Sequence, residues 1–163
     1  MFALRERWSR QRPWVRWVLA VYVIGFLEGF GAHVLDLARA GIHAYAPFQW
    51  VPLQVFFVAL VVLDPLVVVL VMLTRRAGVW LAGAVMVMDA GANWIGNWHW
   101  LKDDLAGLLR LDGLLVINLF GLFVVAFLLP LHHAMAELKP AAWPGEWRRT
   151  TARRRIPRTG PPR

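Results

Sequence analysis

Four stretches of this chain, residues 14–37, 50–73, 79–100 and 108–131, are apolar over lengths that a small soluble core cannot absorb. Each is close to the ~20 residues that cross ~30 Å of hydrocarbon. Lipid supplies no partners for backbone N–H and C=O groups, so each stretch must satisfy its own as an α-helix. Composition agrees: the chain is 59% hydrophobic, only 17% charged, and has a mean hydropathy of +0.52, outside the range of ordinary soluble domains. The expected fold is all-α, a polytopic membrane protein with a four-transmembrane-helix bundle over residues 14–131. Basic tails, 1–13 and 132–163, flank it. Ala38-Arg39-Ala40 imitates a signal-peptide cleavage site, but the preceding apolar core is too long and carries acids, so the first span is expected to stay in the mature protein.

Positive charge sets the expected orientation. Arg5, Arg7, Arg10, Arg12 and Arg16 precede span one, Arg75 and Arg76 follow span two, and Lys139 and the arginines from Arg148 to Arg163 follow span four. Only Arg39, Lys102 and Arg110 fall on the other side. The positive-inside rule therefore puts both termini in the cytoplasm. The preference for Arg over Lys and the Ala/Trp richness associate with GC-rich bacterial genomes, so an inner (plasma) membrane is expected over the endoplasmic reticulum.

The net charge of +8 and the pI near 11.4 are then topology signals and not a nucleic-acid footprint. Residues Trp147 to Arg163 have too little apolar content to fold and no interleaved stacking platform for RNA. Beside a membrane their arginines attract anionic headgroups at about 1 kcal/mol each. The absence of cysteine excludes disulfides, thiol redox chemistry and iron–sulfur ligation by this chain.

The spans are not uniformly apolar. "GFLEGFGAHVLD", Gly25 to Asp36, carries two carboxylates and an imidazole. Counted at 1.5 Å per residue from the cytoplasmic ends, Glu28, Asp64, Asp89, Asn93 and Asn118 all lie roughly 14–21 Å deep. A second layer, His33, Asp36, Asn97 and His99, lies at roughly 27–33 Å, near the external interface. Asp89, Asn93 and Asn97 recur at i, i+4, i+8 and form one polar stripe, and Gly25, Glu28 or Gly29, Ala32 and Asp36 share a face of span one. Gly25, Gly29 and Gly31 permit close helix approach. The acids are therefore expected to face the bundle interior.

A carboxylate at the bilayer centre costs roughly 2.5–3.5 kcal/mol on insertion scales, and no Lys or Arg shares this depth to pair with three of them. One Asn or Asp would suffice to glue helices together, whereas here every span contributes. We therefore read Glu28, Asp64 and Asp89 as candidate acid/base groups, and Glu28, Asp36, Asp64, Asp89, Asn93, Asn97 and Asn118 as candidate ligand-binding groups. Most of the tryptophans sit near span ends and form an interfacial belt. Trp94 and Trp98, one turn apart beside the polar stripe, are candidates for a ligand wall. Pro65, next to Asp64, frees a carbonyl one turn earlier and widens the bundle at the depth of the acids.

At these residues the chain resembles a known family. "FLEG" in span one, "LVVLDPLVVVLVMLTRR" in span two, "MDAGAN" in span three and "VINLFGLFVVAFLLP" in span four look like the four-helix EXPERA domain of the emopamil-binding sterol isomerase and the sigma-2 receptor. "VLDLARAG" around Asp36 is similar to the end of the first helix in sigma-2-type members. The resemblance covers about Val15 to Pro130. It implies a cavity within the bundle, open to lipid, that takes sterols or amphiphilic amines, with Glu28, Asp64, Asn93 and Asn118 as the positions that carry over. Ile24 stands where the isomerase has a His, and Phe56 near its second-helix Glu, so the isomerase acid/base pair is not reproduced. The resemblance thus reaches further for ligand binding than for isomerisation.

Other classes fit the same residues. A proton-coupled transporter subunit would let a proton and a cationic substrate compete for one carboxylate, and would need a homo-oligomer because four helices leave little room for alternating access. Haem needs His pairs across the bundle, and His33 and His99 share a depth, but His132 and His133 lie at the opposite end. A metal at His33, Asp36, His43 and His99 would straddle helix ends and a loop. We expect no cofactor and no metal. The expected partners are membrane lipids, a hydrophobic or cationic amphiphilic small molecule, and anionic headgroups at the tail.

Overall fold

The computed structural model describes residues 2–103 and 114–136. Its elements are α1 (Phe2–Ser9), α2 (Pro13–Ala40), a 3-10 turn (Gly41–His43), α3 (Val51–Met72), α4 (Arg76–Leu101) and α5 (Leu115–Ala136), with no strand among the described residues. Four helices, α2 to α5, are long and apolar enough to cross a membrane. Their outward faces agree with a lipid setting. Trp17, Ile24, Val62 and Leu122 are each about two-thirds or more exposed, a pattern that water would penalise.

The helix limits differ from the expected ones where lipid stops deciding them. α2 continues to Ala40 and α4 to Leu101, because an interfacial turn of helix still satisfies its own backbone. α5 starts at Leu115, and its helix runs through His132 and His133, residues counted with the tail in the sequence. His132 Nδ1 accepts the Trp80 indole N–H at 3.0 Å. The N-terminal tail holds α1, which Trp8 anchors by donating to the Met72 carbonyl at 2.8 Å. Loop residues Asp104, Arg110 and Asp112, the stretch 108–113 assigned to span four, and the tail from 137 onward lie outside the described residues.

α2 packs on α3, α3 on α4 and α4 on α5, while α2 meets α5 over a much smaller surface. That small contact is concentrated at Tyr22, whose hydroxyl donates to the Val124 carbonyl, and at Phe26, which sits edge-on to Phe120 with centroids 5.5 Å apart. Gly25 admits it: a Cβ there would run into the Phe120 ring. Most of the largest fully buried side chains, among them Leu19, Tyr22, Val67, Val71, Val79 and Val124, occupy the half of the bundle nearer the termini, with Leu60 and Leu101 the exceptions. Every buried residue of α2 lies at or before Phe26. The opposite half is open.

The turn between α3 and α4 is closed by backbone geometry. Arg75 N–H donates to the Leu70 carbonyl and Thr74 N–H to the Val71 carbonyl, a Schellman cap, with Thr74 in the left-handed region at φ 51°. The α2–α3 connection is instead closed by rings. Tyr45 and Phe48 stack on Phe57, with centroids 5.1 and 4.9 Å away, and Gln54 Nε2 donates to the Phe48 carbonyl at 2.6 Å.

Candidate functional site

The open half of the bundle encloses a cavity of about 730 Å³. Glu28 and Asp36 line it from α2, Asp64 from α3, and Asp89, Asn93 and Asn97 from α4. Two expected patterns therefore converge on one space: the α2 face that repeats Gly25, Glu28, Gly29, Ala32 and Asp36, and the α4 stripe at i, i+4, i+8. Phe26, Tyr45, Phe48, Phe57 and Phe120 supply aromatic wall, and among the described residues no Lys or Arg lines the cavity.

The carboxylates are held differently. Asp89 accepts the Asn93 side-chain N–H at 3.0 Å, so the stripe is internally bonded. Asn93 also donates to the Asp89 carbonyl, and Asn97 to the Asn93 carbonyl. Asp64 is 4% exposed, lies beside Pro65, and has no hydrogen-bond partner among the described residues. Its approach to α2 is direct. A Cβ at Gly29 would stand 3.2 Å from Asp64 Oδ2. Glu28 and Asp36 are exposed as well as lining the cavity, which is therefore open on the α2 side.

At the end of the cavity away from the termini, three side chains form a short chain. The Tyr45 hydroxyl donates to Asp36 Oδ2 at 3.3 Å and lies 2.7 Å from His33 Nδ1. With the hydroxyl proton directed to Asp36, His33 Nδ1–H is the donor to the Tyr45 oxygen. Burial, and then the Asp36 carboxylate, push the Tyr45 phenol above its usual range, so it stays protonated as a neutral donor. Tyr45 has no counterpart in the sequence reading. It sits in a connection without periodicity, and only the stacking on Phe57 aims it inward.

Three of the expected ligand groups lie elsewhere. Asn118 Oδ1 accepts the Trp94 indole N–H at 2.9 Å, so the polar group of α5 is turned to α4 and does not line the acidic cavity. Trp94 and Trp98 line a second recess that shares Pro47, Gly96 and His99 with the acidic cavity but none of its acids. His33 and His99 both line the acidic cavity, but His33 is committed to Tyr45. Among the described residues no three His, Asp or Glu side chains are grouped closely enough to hold a metal ion. No family model, no curated protein and no solved structure matches the chain.

Proposed function

We propose that this integral membrane protein binds a lipid- or sterol-like or cationic amphiphilic ligand in its acidic cavity, with both termini cytoplasmic in a bacterial plasma membrane. The observation that carries the reading is Asp64: 4% exposed, without a hydrogen-bond donor among the described residues, and bordering a cavity of about 730 Å³ that no Lys or Arg of those residues lines. A buried carboxylate in that setting is stabilised by an incoming donor or cation, and ligand sites of 300–1,000 Å³ with apolar walls and few polar groups are the usual form. Aromatic faces at Phe26, Phe57 and Phe120 suit both a ring system and an ammonium head. The opening on the α2 side gives an apolar tail a route to lipid.

The EXPERA-like pattern in the four spans supports the same reading, and extends it to isomerase-like chemistry with Glu28, Asp64 and Asp89 as acid/base groups. Proton-coupled transport is favoured by one specific feature, the Asp36–Tyr45–His33 chain at the end of the cavity away from the termini. Native mass spectrometry of the detergent-purified chain separates these. An apolar or amine adduct that is retained by the wild type and lost in Asp64→Asn and Glu28→Gln, with helical circular dichroism unchanged, is the expected result. Retention equal in all three proteins removes the cavity assignment, and pH-gradient-driven uptake in proteoliposomes would move the reading to transport.

A further inference from the structure

The second recess, about 740 Å³, has the opposite electrostatic character from the acidic cavity. Phe48, packed so tightly over Gly96 that a Cβ there would meet its ring, separates the two. Leu53 and Ile95 provide the apolar floor, Trp50, Trp94 and Trp98 the walls, and Lys102 the rim. Among the described residues no carboxylate lines it, and its ionisable groups there are His99 and Lys102. Lys102 is exposed and makes no ion pair among the described residues, and the exposed Asp103 that follows it is not part of the lining.

The aromatic walls are arranged for a ligand that is apolar below and charged above. The Trp94 N–H is directed away to Asn118, which leaves its ring as flat apolar wall. Trp50 and Trp98 are 61% and 57% exposed, and lie at the start of α3 and the end of α4, the level at which indoles meet headgroups. Lys102 follows α4 by one residue. An acyl chain laid on Leu53 and Ile95 would therefore bring its headgroup to a cation.

We infer that this recess holds one anionic phospholipid of the leaflet opposite the termini, with acyl chain against Leu53, Ile95 and the indole faces and the phosphate at Lys102. A zwitterionic lipid brings its own ammonium beside Lys102, and an anionic one does not; that difference gives the site its selectivity. The recess adjoins the acidic cavity, sharing Pro47, Gly96 and His99 with it but, among the described residues, no carboxylate.

The test is native mass spectrometry of the purified full chain titrated with phosphatidylglycerol or phosphatidylcholine of identical acyl chains. One phosphatidylglycerol is expected to bind with about a fivefold preference, the effect of a single cation near a headgroup. Lys102→Gln should abolish that preference, and Trp98→Ala, an exposed and therefore structurally tolerant change, should weaken both lipids. Asp64→Asn should leave this adduct intact, so that failure here and failure of the cavity reading are told apart. Equal binding of the two lipids overturns the inference. So does a preference that survives Lys102→Gln and vanishes when Arg153, Arg154 and Arg155 are changed to Gln, or a dimer in the spectrum in place of the lipid adduct.

Discussion

The Tyr22 hydroxyl donates to the Val124 carbonyl at 2.6 Å, with both residues fully buried, and so pins α2 to α5 on the termini side of the cavity. Beyond Phe26 no residue of α2 is buried. Tyr22→Phe removes the bond while keeping the ring against Phe123. Interhelical hydrogen bonds in membrane bundles average ~0.6 and reach ~1.7 kcal/mol, so the midpoint of thermal unfolding in detergent should fall by a few degrees. An unchanged midpoint would assign the contact to Phe26 and Phe120 alone.

Gly29 is the position at which α2 approaches Asp64 most directly. Gly29→Leu should place a side chain against the Asp64 carboxylate and into the cavity. Adduct retention is expected to drop at least tenfold while Gly31→Leu, where a Cβ meets nothing within 4 Å, leaves it within twofold. Equal effects of the two substitutions would show that α2 as a whole, and not its contact with Asp64, controls occupancy.

Tyr45→Phe removes the link between His33 and Asp36 and should cost about 1–2 kcal/mol for the two hydrogen bonds. The loss has a pH signature. The folded phenol is held above its unfolded value of about 10, so the favourable contribution is complete below pH ~10 and declines as pH rises beyond it. The difference in unfolding midpoint between wild type and Tyr45→Phe should therefore shrink from pH 8 to pH 11. A constant difference would mean that Tyr45 acts through packing on Phe57 only.

Thr74 carries a β-branched side chain at φ 51°, where L-residues are strained by roughly 1–2 kcal/mol. Thr74→Gly keeps the Schellman cap and relieves that strain, less the extra entropy of glycine in the unfolded chain. The unfolding midpoint should rise by about one to three degrees. A fall would indicate that the Thr74 hydroxyl bond to the Leu73 carbonyl, 2.8 Å long, outweighs the strain.

Hydropathy alone located the spans because lipid imposes a local demand: each segment must bond its own backbone, wherever its neighbours are. Depth was legible for the same reason, since rise per residue is fixed. Glu28, Asp64, Asp89 and Asn93 fall at one level by spacing and Asp36 and Asn97 at a second, outer one, and the six line one cavity. Asn118 has a similar depth but belongs to a different contact, because rotation about the α5 axis follows packing against α4 and not hydropathy. The two tryptophans line the adjoining recess and not the acids' cavity for a related reason, since packing such as that of Phe48 on Gly96 is a contact between elements.

What the sequence determined by itself is therefore the all-helical class, four helices long and apolar enough to cross a membrane, and the position of each polar group along its helix, since all three depend on interactions within one helix. Tertiary structure alone decided which of those groups meet, that Tyr45 bridges Asp36 and His33, and that α2 buries no residue beyond Phe26. These depend on which helix faces touch. Shape complementarity between side chains distant in sequence sets that choice, and no periodicity within one segment encodes it.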